Sequence, residues 1–131
     1  MWRAVLAGVL GALSVLTALY MWIDGRRWYE ATPGVIFTGP YNAHFVLDIG
    51  AAFFAAGMGL LARAWRVRYW PAAVAGAGFL ALHAMLHAAM MIGAILGLCT
   101  VRTWAFDIAA VIVPSLLALL VAFPGEGERH A

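Results

Sequence analysis

Lysine is absent from this 131-residue chain, and charged residues make up only 11% of it. A soluble domain carries roughly 25%, so a solvated surface of ordinary size is excluded. Cys99 is the only cysteine. That rules out an intrachain disulfide and any cysteine metal cluster, and leaves Cys99 as a small packing residue at the end of an apolar segment. No stretch alternates apolar and polar residues over strand length, which excludes a membrane barrel. No basic tract or nucleic-acid motif occurs, which argues against a nucleic-acid partner.

What the chain has in excess is apolar surface: 66% of its residues are hydrophobic, with mean hydropathy +0.93. Four segments, about 2–23, 43–62, 71–98 and 104–123, each supply the roughly 20 residues a helix needs to cross hydrocarbon. The expected fold is all-α, an integral membrane antiparallel four-helix bundle forming one domain. Its backbone polar groups are then satisfied within each helix. Trp2, Trp22, Trp65, Trp70 and Trp104 fall at or near the ends of these spans and Trp28 in the first loop, as an interfacial aromatic belt requires. Arg63, Arg66 and Arg68 cluster in the second connection with no acid to offset them. By the positive-inside rule that loop is cytoplasmic, and both termini, with Arg3 and Arg129, lie on the same side. Arg26, Arg27 and Arg102 occupy the other side. The first span is long for a signal core and ends in Tyr-Met-Trp-Ile, so it is expected to be retained rather than cleaved.

Small residues run along the spans: Ala51, Ala55 and Gly59 on the second, Ala84, Ala88, Gly93 and Gly97 on the third. They allow the close backbone approach by which membrane helices associate. Gly93 and Gly97 form a small-x-x-x-small pair that could serve a homo-oligomer or a larger membrane complex. Met85, Met90 and Met91 read as filler, although a thioether can also ligate copper.

The informative residues are polar. His44 and Asp48 lie one turn apart on the second span, His83 and His87 one turn apart on the third, and Asp107 near the start of the fourth. Ionisable groups are costly in lipid, so they are expected to face one another inside the bundle. At 1.5 Å per residue, Asp48 lies roughly 8 Å inside its span and Asp107 roughly 5 Å. His87 lies roughly 16 Å below the expected end of the third span at Leu98. Three uses compete. All five residues could hold a zinc, iron or copper ion, since two imidazoles and a carboxylate suit such metals, although the HExxH motif is absent. The same groups could do acid–base work or relay protons, with His44 and Asp48 as the expected catalytic pair. They could also simply tie helices together. A haem clamped by His44 and His87 is the weaker metal reading, because the bundle is small and Asp48 would sit beside it.

Elsewhere, Asn42 is a plausible N-cap, and Asp107 could pair with Arg102. Asp24, Arg26, Arg27 and Glu30 read as a solvated loop face. Tyr29, Phe37 and Tyr41 could fold back as a lid, with turns at Pro33, Gly34, Gly39 and Pro40. The tail is short and polar, and His130 in it reads as a bystander. Pro40-Tyr41-Asn42-Ala43-His44, followed by Asp48, Gly50 and Gly57-Met58-Gly59, resembles the small four-helix membrane proteins of the DoxX-like group. That family usually places a polar residue after its Asn–His element. Val46 and Leu47 stand here instead, so no catalytic role is carried over. The resemblance implies a bacterial inner-membrane protein associated with redox chemistry, an oxidoreductase. The functional expectation is a membrane-embedded metal or proton-handling site for a small apolar substrate. The alternatives are an accessory subunit of a larger complex and proton-coupled transport.

Overall fold

The structure, a computed structural model, describes residues 1–100 and 103–128. Arg102, Arg129 and His130 lie outside the described residues, and with them the expected Arg102–Asp107 pair. The protein is all-α, with no strand among the described residues. It comprises α1 (Trp2–Ile23), a short α2 (Gly25–Ala31), α3 (Ala43–Trp65), α4 (Trp70–Ile95) and α5 (Trp104–Ala122). All but α2 are long and apolar enough to cross a membrane, so this is a multi-pass membrane protein in contact with the lipid bilayer.

The helix ends follow from local chemistry. Asn42 caps α3, its Oδ1 accepting from the Phe45 N–H at 3.1 Å. Asp24 caps α2 in the same way through the Arg27 N–H, and Arg26 and Glu30 pair one turn apart at 2.7 Å. The charged residues expected as a loop face thus build a helix of their own. α4 stops at Ile95, three residues before the expected boundary at Leu98. Gly97 adopts φ 74°, the Leu98 N–H bonds the Gly93 carbonyl at 2.9 Å, and the Gly97 N–H bonds that of Ala94 at 3.1 Å. This is a Schellman ending, which needs a residue at ease in the left-handed region. Gly97 therefore terminates the helix rather than forming a packing stripe with Gly93, and Gly93 faces the Cys99 sulfur of the returning chain.

The four spans form a ring in which α1 packs on α3, α3 on α4, α4 on α5, and α5 back on α1. Two seams set the rotation of α3. At the first, a side chain on Gly11 of α1 would come within 2.9 Å of the Gly57 carbonyl oxygen, and one on Gly57 within 2.7 Å of that of Gly11. At the second, Gly59 lies against the Ala72 carbonyl and Gly76 of α4 against that of Ala56. The core fills the half of the bundle nearest the termini, and it is built mostly from alanine, with Leu10, Leu60, Leu80 and Val121.

That end is also bolted by charge. Arg63 was expected as an exposed topology signal in the second connection. It instead lies in the last turn of α3 with its side chain 1% exposed, and its Nη2 donates to Glu128 Oε2 at 2.6 Å. The same oxygen accepts from the Gly125 N–H. Arg3 of α1 donates to the Leu120 and Phe123 carbonyls, closing the otherwise unsatisfied end of α5. The short polar tail thus supplies the partner of a buried guanidinium. The Gly125 N–H, seconded by Arg63, holds the Glu128 carboxyl below its usual range.

Gly57→Val is expected to force α1 from α3 and cost about 1–3 kcal/mol. Gly78→Ala, where a side chain meets nothing within 4 Å, is expected to change little. Thermal unfolding in detergent compares the two. Glu128→Gln leaves the Arg63 charge buried without its counter-ion and is expected to cost about 3 kcal/mol in the same assay. Because the Glu128 pKa is depressed in the fold, its contribution is complete above the ordinary value of 4.5 and is lost as pH falls below it. The wild type should therefore lose more thermal stability than the Gln variant between neutral pH and pH about 3.

Candidate functional site

The site lies in the opposite half of the bundle from the alanine core. Its arrangement begins with the way α4 ends. After the Gly97 turn the chain doubles back along α4, and the Cys99 thiol reaches the Met90 carbonyl at 3.4 Å. This return lets Asp107, near the start of α5, meet His87, more than two turns inside α4. His87 Nδ1 and Asp107 Oδ1 are 3.0 Å apart, and the Thr103 hydroxyl donates to Asp107 Oδ2 at 2.9 Å. The Asp107 side chain is 6% exposed and that of His87 26%. An ionised carboxylate only accepts, so neutral His87 carries its proton on Nδ1 and keeps Nε2 free as an acceptor.

His83 continues the chain of contacts inward. Its ring meets His87 edge-on, with centroids 4.8 Å apart. Phe79 stacks on His83 from one turn below at 6.1 Å, and Phe53 of α3 packs edge-on at 5.7 Å. His83 is half-buried and makes no hydrogen bond among the described residues. An imidazole in a membrane span with no protein partner presents a strong hydrogen-bonding group in a medium that offers none.

A π-helical turn, Asp107–Ile112, opens directly at the acid. Pro114 explains it: the ring has no N–H and crowds the carbonyl four residues earlier, so the preceding turn widens. Ser115 Oγ bonds the Val111 carbonyl at 2.7 Å beside it. Such turns occur often at functional sites. On the far side of Asp107, the first loop sits over Thr103. Gly34, at φ 88°, leaves only enough room that a side chain there would come within 3.1 Å of Thr103. Tyr29 holds the loop in shape by donating to the Gly39 carbonyl, and it packs edge-on against Tyr41 at 5.5 Å. The cover over the site is thus made by Gly34, while two of the three aromatics expected as a lid brace the loop.

The structure brings together three of the five expected residues, His83, His87 and Asp107. His44 and Asp48 pair only with each other, at 3.6 Å, with side chains 86% and 64% exposed. The carboxylate that meets the imidazoles of α4 is Asp107, not Asp48. The cause is the rotation of α3: its glycines must face α1 and α4, and His44 and Asp48 are carried outward. Among the described residues no three His, Cys, Asp or Glu side chains are grouped closely enough to share a metal ion. Met85 and Met90 point outward and do not close the site. Thr103 and the two phenylalanines were not anticipated. Thr103 could have been, since it stands one turn before Asp107. Comparison with family models, curated proteins and solved structures finds no match to this chain.

If the His87–Asp107 contact stabilises the bundle, His87→Ala and Asp107→Ala should not add. A double-mutant cycle on thermal unfolding is expected to return a coupling of about 1–2 kcal/mol. A value near zero would mean that the contact carries no energy.

Proposed function

We propose that this protein holds a membrane-embedded acid–base site that binds and exchanges protons with a small lipid-soluble molecule. The observation that carries this reading is the His87–Asp107 contact at 3.0 Å with His83 beside it, its ring making no hydrogen bond among the described residues. Asp107 holds His87 in one tautomer through the Nδ1 contact. Thr103 fixes the acid in turn. His87 Nε2 is left to accept from a hydroxyl, and the His83 N–H to donate to a carbonyl, of a molecule with an apolar body, which the aromatic faces of Phe53 and Phe79 suit. Such a ligand reaches the site through lipid, or past the Gly34 loop.

The closeness of the two imidazoles supports a second reading. His83 and His87 would contribute two ligands to a zinc, iron or copper ion, with Asp107 orienting His87 from behind. Ligands from outside the described residues, water or the substrate would then complete the shell. An oxidoreductase role, membership of the DoxX-like group and a bacterial inner membrane with cytoplasmic termini belong with these proposals. The orientation rests on Arg3, Arg66 and Arg68 at one end of the bundle against Arg26 and Arg27 at the other.

Native mass spectrometry and elemental analysis of the same preparation, extracted from membranes, separate the readings. An organic adduct retained by the wild type and lost in His83→Ala and Asp107→Asn is the expected outcome. Stoichiometric metal lost in His83→Ala and His87→Ala would favour the second reading. Neither adduct nor metal, in folded protein, would overturn both.

A further inference from the structure

Most of the outer surface of this bundle is what hydrocarbon favours. α1 shows Val5, Val9, Leu13 and Leu16; α4 shows Leu82 and Leu86; α5 shows Val113, Leu116 and Leu120. One line of α3 differs. His44, Asp48, Ala51, Ala55, Met58 and Ala62 follow one another at spacings of three and four, which places them on a single helical face. All are exposed except Ala62, which is partly exposed; Phe45 and Leu47 flank the polar end. Beside this line, toward α4, runs an apolar groove lined by Ala52, Ala56, Gly59, Ala72 and Gly76. Surfaces of this kind accept a neighbouring helix closely, whereas lipid gains little from them. The polar end adds a second, independent reason for a cover. A carboxylate and an imidazole that have only each other, at 3.6 Å, remain costly on the outside of a spanning helix.

We propose that this face of α3 is the interface of a homodimer, with the α3 helix of a second copy of the chain packed against it. The His44–Asp48 pair selects the occupant. With a two-fold axis along the membrane normal, the two α3 helices run parallel, and a contact from one residue to another is repeated in reverse. His44 of each copy then reaches Asp48 of the other across an offset of four residues, about 6 Å. One acid and one base on the same line make the surface complementary to itself in charge. A lipid tail would leave the two groups nothing beyond their own 3.6 Å contact. The small residues below supply the close approach, so polar and apolar parts of the face call for the same partner. This inference uses none of the residues of the His87–Asp107 site and stands or falls apart from it.

Disulfide trapping in native membranes tests it. In a Cys99→Ser background, Ala55→Cys is oxidised with copper phenanthroline beside Leu16→Cys on α1 and Leu116→Cys on α5, two positions equally open to lipid. Ala55→Cys is expected to give a band of twice the chain mass at least tenfold faster than either comparator. Protein in lipid nanodiscs is expected to have the mass of two chains. Asp48→Ala and Ala55→Trp should each weaken association at least tenfold. Both substitutions lie on the outside of the monomer, and an unchanged helical signal verifies that each variant folds. Trapping at Ala55 no faster than at the comparators would overturn the proposal. So would a trapped partner of another mass, or a single chain carrying a lipid in the groove.

Discussion

The rotation of α3 about its own axis governs this molecule. α3 makes the two most extensive seams of the ring, with α1 and with α4, and at both glycine brings backbone against backbone. No side chain fits at Gly11, Gly57, Gly59 or Gly76 without moving a carbonyl group. Helices in lipid lack the hydrophobic drive that gathers them in water and depend on such contact. Once the seams are closed, every other residue of α3 has its direction assigned. Phe53 goes inward to the histidines, Arg63 goes into the lower core, and His44 and Asp48 go out.

The bundle divides its polar groups between its two ends. At the end bearing the termini, Arg3, Arg63 and Glu128 join α1, α3 and the segment after α5, closing helix ends that lipid and loop would leave unsatisfied. At the other end the inward-facing polar cluster is Asp107, His87 and His83. Among the described residues Asp107 has both oxygens engaged, His87 has one nitrogen engaged, and His83 has neither. A gradient from saturated to unsaturated hydrogen bonding runs from acid to imidazole to imidazole. That separates a structural cluster from one able to receive a ligand. The charged end holds the fold together; the histidine end has capacity to spare.

Much of the architecture was legible in the sequence. Tryptophans and apolar length located the four spans to within a few residues, because the bilayer imposes one length and one pair of interfaces on every helix. The pairing of His83 with His87 was legible too, since helical spacing is local. What was not legible was which faces meet. His44 and Asp48 have the same spacing and the same chemistry as a buried pair, and only the glycine seams turn them outward. Arg63 reads as a loop cation because its counter-ion lies in a tail far along the chain. The Gly93–Gly97 pair reads as a packing motif because positive φ leaves no mark on composition. Local periodicity says which residues share a face; long-range contact decides what that face sees.

The widened turn at Asp107–Ile112 gives α5 an unusual tolerance. A π turn is an α-helix carrying one surplus residue, absorbed without disturbing either flank. Deleting a single residue within 108–112 would restore an unbroken ladder upstream of Pro114, and hydrogen bonding would lose little. The segment before the deletion would nevertheless swing by one residue's rotation, about 100°. Asp107 would leave its imidazole for the bundle's perimeter. Length in this one turn is thus a phase setting: the chain can keep its helix and forfeit its acid by the loss of a single codon.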